Sequence, residues 1–341
     1  FLGQEHKSLK ATINAETISI ASKETVLQAA LRQGIDFPYS CRVGGCATCK
    51  CKLLEGKVRE LTETGYILSD DELNQGFILA CQSVPLTDIR VEVAMNNAAQ
   101  KRTLKGRVIA QEKMTHDITR LCIQLDDTLQ YKAGQFAEIS IEALPHVTRS
   151  YSFAAPSTPD SQISFFVRKV PGGAFSTFIN EQAVIGQRVT VNGPMGDFWL
   201  RSANTPLLLI AGGSGLAPIF ALLQEAAQRH VNRPVTLLFG AREQRDLYAL
   251  QEIQDIAAAW PTEFRFIPVL SQENPQSDWK GERGWLNEKI PAYVQPDAHA
   301  YLCGPPAMID SAIPALIAAG LSRENLHADR FTTQQDIAAV A

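Results

Sequence analysis

Hydrophobic and polar residues alternate along residues 10–21, KATINAETISIA, a pattern typical of a β-hairpin. The next segment, ETVLQAALRQG, predicts a short helix that ends near Gly34. Two further segments, CKLLEGKVRE and DIRVEV, predict a strand with a turn and a closing strand. Residues 1–97 therefore predict an α+β domain in which one helix crosses a mixed sheet.

Residues 104–203 are rich in short strands separated by turn residues. The six predicted strands are KGRVIAQEKMT, ITRLCIQL, QFAEISIE, RSYSFAAP, ISFFVRKV and RVTVNGPMGDF. One helical segment, AFSTFINEQA, lies between the fifth and sixth. This order predicts a six-stranded antiparallel β-barrel. The polar residues 98–103 predict a linker in front of it.

In residues 204–341, apolar strands such as PLLLIAGG and PVTLLFGA alternate with helices. That alternation predicts an α/β domain with a parallel sheet covered on both faces. Residues 202–223 carry no charge and are long enough to span a membrane, but three glycines and two prolines interrupt them. A strand, a glycine loop and a helix start are predicted there instead.

Length, charge and cysteine content narrow the class of protein. A chain of 341 residues suits two or three domains, and a net charge of −4 argues against nucleic-acid or anionic-membrane binding. The first residues lack a basic segment followed by an apolar run, so a cytoplasmic protein is expected. Seven cysteines, an odd number, argue against a disulfide framework and favour metal or redox chemistry. No coiled coil or obvious apolar face is present, so a monomer is expected.

The cysteines are spaced Cys41-x4-Cys46-x2-Cys49, with Cys81 further along, which is the plant-type [2Fe–2S] ligand spacing. Gly44 and Gly45 allow a tight loop whose N–H groups can reach the cluster sulfurs. A four-cysteine zinc site is the alternative, but zinc sites usually pair two short C-x2-C spacings. Cys51 begins a strand and is predicted not to be a ligand.

The segment YSCRVGGCATC…LACQ resembles the chloroplast-type ferredoxins. That resemblance implies a β-grasp fold and a [2Fe–2S] cluster. Its ligands would be Cys41, Cys46, Cys49 and Cys81.

Three motifs follow in order in the predicted barrel: R-x-Y-S at Arg149, VPGGAFS, and NGPMGDF. The guanidinium of Arg149 can donate two hydrogen bonds to a phosphate, and Tyr151 offers an aromatic face. The glycines precede a helix whose N-terminus can bind an anion. The order resembles the ferredoxin–NADP reductase superfamily, which implies FAD. The implied FAD contacts are Arg149, Ser150, Tyr151, Ser152, Gly172, Gly173, Ala174, Phe175 and Ser176.

The last domain carries LLLIAGGSGLAP, in which Gly212, Gly213, Ser214 and Gly215 let the backbone approach a pyrophosphate. The loop departs from G-x-G-x-x-G, but the reductase superfamily is similar here because its glycine loop is also followed by Ala-Pro. The same resemblance implies that Cys303, Gly304 and Pro305 lie beside the nicotinamide, with Asp329 near the flavin and Phe331 stacked on its ring. Ser152, Cys303 and Asp329 would then shape the hydride-transfer site.

Coenzyme choice is predicted from the segment FGAREQRDLYAL, which contains Arg242 and Arg245 but also Glu243 and Asp246. An acidic residue repels a 2′-phosphate and accepts a ribose hydroxyl, so Glu243 favours NADH. His116 and His146 each stand alone and are predicted to be solvated.

The module order resembles the reductase components of bacterial oxygenases, and most closely those of aromatic-ring dioxygenases of the benzoate 1,2-dioxygenase type. It implies electron flow from NADH through FAD and [2Fe–2S] to a Rieske-type terminal oxygenase docked near the cluster loop. Reductases of di-iron monooxygenases such as phenol hydroxylase share the order. The remaining alternatives are a free-flavin reductase and a non-enzymatic binding protein whose fold is stabilised by zinc. The acidic run Asp70-Asp71-Glu72 is a candidate docking patch.

Overall fold

The computed structural model describes residues 8–39, 42–44, 47–94 and 101–332. The predicted ligands Cys41 and Cys46, together with Gly45, lie outside these ranges. The chain forms two compact units that divide between residues 97 and 98.

The first unit contains a five-stranded sheet in the order β2-β1-β7-β3-β5 and a separate pair, β4 with β6. Its strands are β1 (Leu9–Ile13), β2 (Glu16–Ile20), β3 (Lys50–Glu55), β4 (Val58–Glu60), β5 (Phe77–Leu79), β6 (Ser83–Pro85) and β7 (Ile89–Glu92). Its helices are α1 (Val26–Arg32) and α2 (Asp70–Asn74). Strands β1 and β2 form the predicted hairpin, and β1 pairs in parallel with β7. The mixed sheet predicted from the alternation is confirmed.

Helix α1 forms where the sequence predicts it because both of its ends carry local signals. Thr25 and Gln28 form a capping box at its start, and Gly34 adopts a positive φ of 80° just past its end. Its buried residues include Val26 and Ala30, which belong to the core of this unit. The helix therefore covers one face of the sheet.

The second unit begins with a six-stranded antiparallel sheet in the order β11-β10-β13-β8-β9-β12. Its elements are β8 (Arg102–Lys113), β9 (Ile118–Leu125), β10 (Phe136–Ile141), β11 (Thr148–Ser152), β12 (Gln162–Arg168), α3 (Ala174–Glu181) and β13 (Arg188–Met195). A bridge between Phe153 and Phe165 joins the two outer strands and closes the predicted barrel. Strand β8 begins at Arg102, and Arg102 and Thr103, the last residues of the predicted linker, pair with β13.

The remainder of this unit is a parallel sheet in the order β17-β16-β15-β14-β18-β19. Its strands are β14 (Leu207–Gly212), β15 (Val235–Ala241), β16 (Phe264–Leu270), β17 (Glu282–Arg283), β18 (His299–Gly304) and β19 (Leu326–Arg330). Its helices are α4 (Leu216–Gln228), α5 (Leu250–Ala259), α6 (Leu286–Tyr293) and α7 (Pro306–Ala318).

The uncharged stretch at 202–223 folds as predicted, into a strand, a glycine turn and the start of a helix. All six residues of β14 are buried because parallel strands are covered on both faces. None of the helices in the described residues has the length and hydropathy that a membrane span requires.

One buried histidine in this sheet makes stability depend on pH. The ring of His327 stacks on Tyr301 at a centroid distance of 4.8 Å. Burial, with smaller effects from Arg201 and His299, lowers the pKa of His327 from 6.5 to about 4. Between these two values the unfolded chain binds more protons than the folded one, so stability falls as pH decreases.

We expect chemical denaturation, followed by circular dichroism, to show a loss of about 2–3 kcal/mol from this histidine between pH 7.5 and pH 4. His327→Phe keeps an aromatic ring on Tyr301 and should flatten the pH dependence. His230→Gln, at an exposed position, is the control and should retain the wild-type slope. Equal slopes for the wild type and His327→Phe would contradict the assignment.

Candidate cofactor-binding sites

The described part of the cysteine site contains Cys49 and Cys81, both buried in the core of the first unit. Cys49 immediately precedes β3, and its carbonyl accepts a hydrogen bond from the N–H of Ala80 at 3.1 Å. The last two predicted ligands are therefore held together by the pairing of β3 with β5.

The loop around these cysteines leaves no room for a side chain at Gly44. This residue has a φ of +74°, and a Cβ there would lie 2.7 Å from Gln82 Cγ and 3.1 Å from Thr62 Oγ1. The Gln82 amide also approaches Cys81 Sγ at 3.6 Å. A tight loop with a donor directed at a cysteine sulfur fits an anionic iron–sulfur cluster.

Cys51 lies on β3 and is fully buried. Burial, together with the nearby Cys81, raises the pKa of its thiol to about 12. Cys49 and Cys81 are buried in the same core, so the expectation that Cys51 packs and does not bind the cluster stays a prediction.

The acidic run at 70–72 forms the first turn of α2. Ser69 accepts a hydrogen bond from the N–H of Glu72, and the Glu72 carboxylate accepts one from the N–H of Ser69. Glu72 also pairs with Lys50. Glu72 therefore has a structural role in capping, while docking at Asp70 and Asp71 stays a prediction.

The predicted flavin residues of β11 lie at the edge of the barrel, where β11 pairs with β10. Arg149 is opposite Ile139, Tyr151 opposite Ala137, and Ser152, which is buried, opposite Phe136. Arg149 and Tyr151 share one face of the strand because side chains alternate. The Tyr151 ring lies 5.6 Å from the ring of Phe175 at the start of α3, so two of the predicted motifs meet.

The start of α3 has the form of an anion site. Gly173 is its N-cap and makes no side-chain cap, and Gly172 has a φ of +73° with open space around it. Ser176 is buried, and its hydroxyl accepts a hydrogen bond from the N–H of Val170 at 3.1 Å, so its contact with a diphosphate stays a prediction. The backbone donors of Ala174 and Phe175 are therefore the best candidates for a diphosphate.

The two motifs of the parallel sheet are in direct contact at its carboxyl edge. A Cβ on Gly215 would lie 2.2 Å from the carbonyl oxygen of Cys303, and one on Gly212 would lie 3.2 Å from Pro305 Cδ. A Cβ on Gly304 would lie 2.8 Å from Met308 Cε and 3.1 Å from the backbone nitrogen and oxygen of Gly212. Ligands of open α/β sheets bind at this edge, in a cradle of closely packed backbone.

The last strand brings the remaining predicted residues to the same edge. Asp329 on β19 is opposite Cys303 on β18, and both are buried. The N–H of Phe331 donates to the carbonyl of Gly304 at 2.9 Å. Burial, with the Asp329 charge, raises the pKa of the Cys303 thiol well above its usual value, so the thiol stays protonated at neutral pH.

Three side chains at this edge were not predicted. The Tyr248 hydroxyl donates to the carbonyl of Gly213 at 2.8 Å and fixes the glycine loop. Arg168, at the end of barrel strand β12, has its Nη1 3.9 Å from the Cβ position of Gly213. Trp285 is 60% exposed and begins α6, whose Leu286 packs on Gly240. The sequence feature that could have identified these three residues is their position, since each one ends or follows a strand near a predicted motif.

The segment after β15 carries Glu243, the predicted ribose partner. Its carboxylate pairs with Arg245 at 2.8 Å.

His116, which the sequence predicts to be solvated, has a side-chain partner: its Nε2 lies 2.7 Å from an oxygen of Asp246. This contact joins the barrel to the nucleotide-binding sheet.

Comparison with protein families agrees with the three sites. Residues 11–86 match the family described as 2Fe-2S iron-sulfur cluster binding domain. Residues 105–199 match the oxidoreductase FAD-binding domain, and residues 209–313 match the oxidoreductase NAD-binding domain. The cofactors are therefore FAD, NAD(P)H and a [2Fe–2S] cluster, and the zinc alternative is not supported.

Relatives match over nearly the whole chain. The xylene/toluene monooxygenase electron transfer component XylA of Pseudomonas putida is 41% identical over 90% of this chain and 89% of its own. The phenol 2-monooxygenase reductase component DmpP of Pseudomonas sp. strain CF600 is 34% identical over 94% and 93%. The solved ferredoxin reductase of a carbazole 1,9a-dioxygenase is 29% identical, with a TM-score of 0.68 over 97% of this chain and 100% of its own.

These relatives are named as components of monooxygenase and dioxygenase systems. The described geometry is consistent with these modules: Gly44 packs against Gln82, a helix begins in the barrel, and a glycine loop contacts Cys303 at a sheet edge. The chain belongs to the family of iron–sulfur flavoprotein reductases that carry electrons from NAD(P)H through FAD and a [2Fe–2S] cluster in oxygenase systems.

Proposed function

We propose that this chain is the NADH-dependent reductase of a monooxygenase that hydroxylates an aromatic hydrocarbon. The observation that carries the proposal is the contact of the glycine loop with Cys303 and Gly304, beside Asp329 and Phe331. This cradle would hold the nicotinamide end of NADH at the flavin. When bound, FAD accepts the electron pair of a hydride and passes electrons singly to the cluster.

The chain's own residues position the reactants and exclude water. Cys303 and Asp329 are buried and would shape the pocket of the nicotinamide, and Ser152 would face the flavin ring from β11. Phe331 would cover the ring. Because the thiol of Cys303 stays protonated, it adds no charge where hydride moves.

The kind of terminal oxygenase is inferred from similarity. The relative at 41% identity belongs to a xylene/toluene monooxygenase, and a second at 34% belongs to a phenol monooxygenase. Both favour a monooxygenase partner. The Rieske-type dioxygenase of the benzoate class, expected from the sequence, is the second candidate, and the carbazole dioxygenase reductase supports it in general but not benzoate in particular.

The preference for NADH is inferred from the acidic groups that follow β15. Glu243 follows the carboxyl end of β15, and a carboxylate there would accept a ribose hydroxyl and repel a 2′-phosphate. The docking surface on the first unit, the monomeric state and the domain limits 1–97, 104–203 and 204–341 are parts of the same proposal.

The proposal is tested by reconstitution with candidate oxygenases. NADH should bleach both the flavin and the cluster absorption of the purified chain. Product should form on adding a toluene-type monooxygenase, and at a rate at least tenfold lower with a benzoate-type dioxygenase. Release of flavin on gel filtration, with turnover of added free flavin, would instead support a free-flavin reductase. Faster turnover with the dioxygenase would contradict the monooxygenase assignment.

A further inference from the structure

Two carboxylates at the coenzyme edge come from different domains of the second unit. We propose that Asp117 of the flavin barrel and Asp246 of the nucleotide-binding domain set the preference for NADH by neutralising Arg242. The inference rests on the proposed function, since it concerns the coenzyme of that reaction.

Arg242 occupies a position that by itself favours NADPH. It is the first residue after β15, the strand whose carboxyl end takes the adenosine ribose in open α/β sheets. A guanidinium is a strong partner for a phosphate because its forked N–H groups match the oxygens. An unpaired Arg242 would therefore attract the 2′-phosphate of NADPH.

Arg242 is instead placed between two carboxylates. Its Nη2 lies 3.6 Å from Asp117 Oδ2 and 3.7 Å from Asp246 Oδ1. The two aspartate side chains are only 17% and 13% exposed, whereas that of Arg242 is 47% exposed. Solvent and salt screen partly buried charges less than exposed ones. The two aspartates therefore attract Arg242 more strongly than fully exposed carboxylates would.

Neighbouring groups fix both aspartates in place. Asp117 Oδ1 accepts a hydrogen bond from Thr115 Oγ1 at 2.9 Å. Asp246 Oδ2 accepts one from the N–H of Glu243 at 3.1 Å, and its Oδ1 lies 2.7 Å from His116 Nε2. These hydrogen bonds orient both carboxylates toward Arg242.

The other charges at this edge are balanced in the same way. Arg245 pairs with Glu243 at 2.8 Å, and Arg168 lies 3.4 Å from Asp117. Glu273, on the segment after β16, accepts hydrogen bonds from Gln244. Together with Arg242 and Asp246, these residues contribute three guanidiniums and four carboxylates. Their formal charge sums to −1 when His116 is counted as neutral. This edge repels a 2′-phosphate while leaving acceptors for a ribose hydroxyl.

The test uses holoenzyme variants and two readouts. Asp117→Asn, Asp246→Asn and the double variant remove carboxylate charge with little change of shape, and Asp117→Glu keeps the charge. Asp126→Asn is the matched control, because Asp126 follows the other end of β9, roughly 25–30 Å away. KM and kcat for NADH and NADPH are measured with ferricyanide as acceptor, and inhibition constants are measured for ADP and 2′,5′-ADP.

We expect the double variant to lower two ratios about tenfold. One is the KM for NADPH divided by the KM for NADH, and the other is the inhibition constant of 2′,5′-ADP divided by that of ADP. Each single asparagine variant should lower both ratios about threefold, while Asp117→Glu and Asp126→Asn should keep the wild-type ratios. Should the double variant lose FAD, the single Asp246→Asn decides. Unchanged ratios in FAD-loaded variants would overturn the inference, as would a wild type that uses both coenzymes equally. A wild type that NADH does not reduce would instead overturn the proposed function.

Discussion

Replacing Cys81 by alanine is expected to abolish the [2Fe–2S] cluster and, with it, electron delivery to any oxygenase. Cys81 is buried in the core of the first unit and is held next to Cys49 by the pairing of β3 with β5. Removing one of the four predicted thiolates would leave the cluster without a full ligand set. Reduction of FAD by NADH should persist, because its site lies in the second unit.

The matched control is Cys51→Ala, the same change at a buried cysteine two residues from Cys49. It should retain the visible and electron paramagnetic resonance signals of the cluster and lose at most 2–3 kcal/mol of stability, about the value of a small core truncation. The two variants together separate ligation from packing. A normal cluster signal in Cys81→Ala, or its loss in Cys51→Ala, would refute the ligand assignment.

Gly215→Ala should reduce the rate of FAD reduction by NADH at least a hundredfold. The new methyl group would lie 2.2 Å from the Cys303 carbonyl oxygen and 2.5 Å from its carbon, and backbone atoms cannot move aside as a flexible side chain can. The glycine loop would be forced away from β18, so the nicotinamide would no longer reach the flavin in a reactive geometry. Stopped-flow reduction of the holoenzyme measures this rate.

Two further glycines make the comparison specific. Gly212→Ala would meet the thioether end of Met308, which can rotate, so we expect a smaller loss, about tenfold. Gly65→Ala in the first unit would meet only Leu73 at 3.9 Å and should leave the rate unchanged. Equal rates for Gly215→Ala and the wild type, with FAD bound, would show that the packing of the loop against Cys303 is not needed for hydride transfer.

Some site residues were predictable because local chemistry requires them. The spacing of the cysteines and the glycine runs each impose a conformation that few other residues can adopt, as Gly44 and Gly213 show with their positive φ. The order of strands and helices was predictable for the same reason, because alternation and capping act over a few residues. The strand pairing of Arg102 and Thr103 was not predictable in this way, since their partners Gly193 and Asn192 lie 91 and 89 residues further along the chain.

The sequence by itself determined the three modules, their order and the chemistry of their motifs, because periodicity and short spacings are local properties. Only the tertiary structure decided which motifs touch: Gly215 against Cys303, Phe331 against Gly304, and Tyr248 beneath Gly213. It also decided that Arg242 is neutralised by Asp117, a residue 125 positions earlier in another domain. Charge pairing across domains depends on distance in space, and a one-dimensional pattern carries no record of that distance.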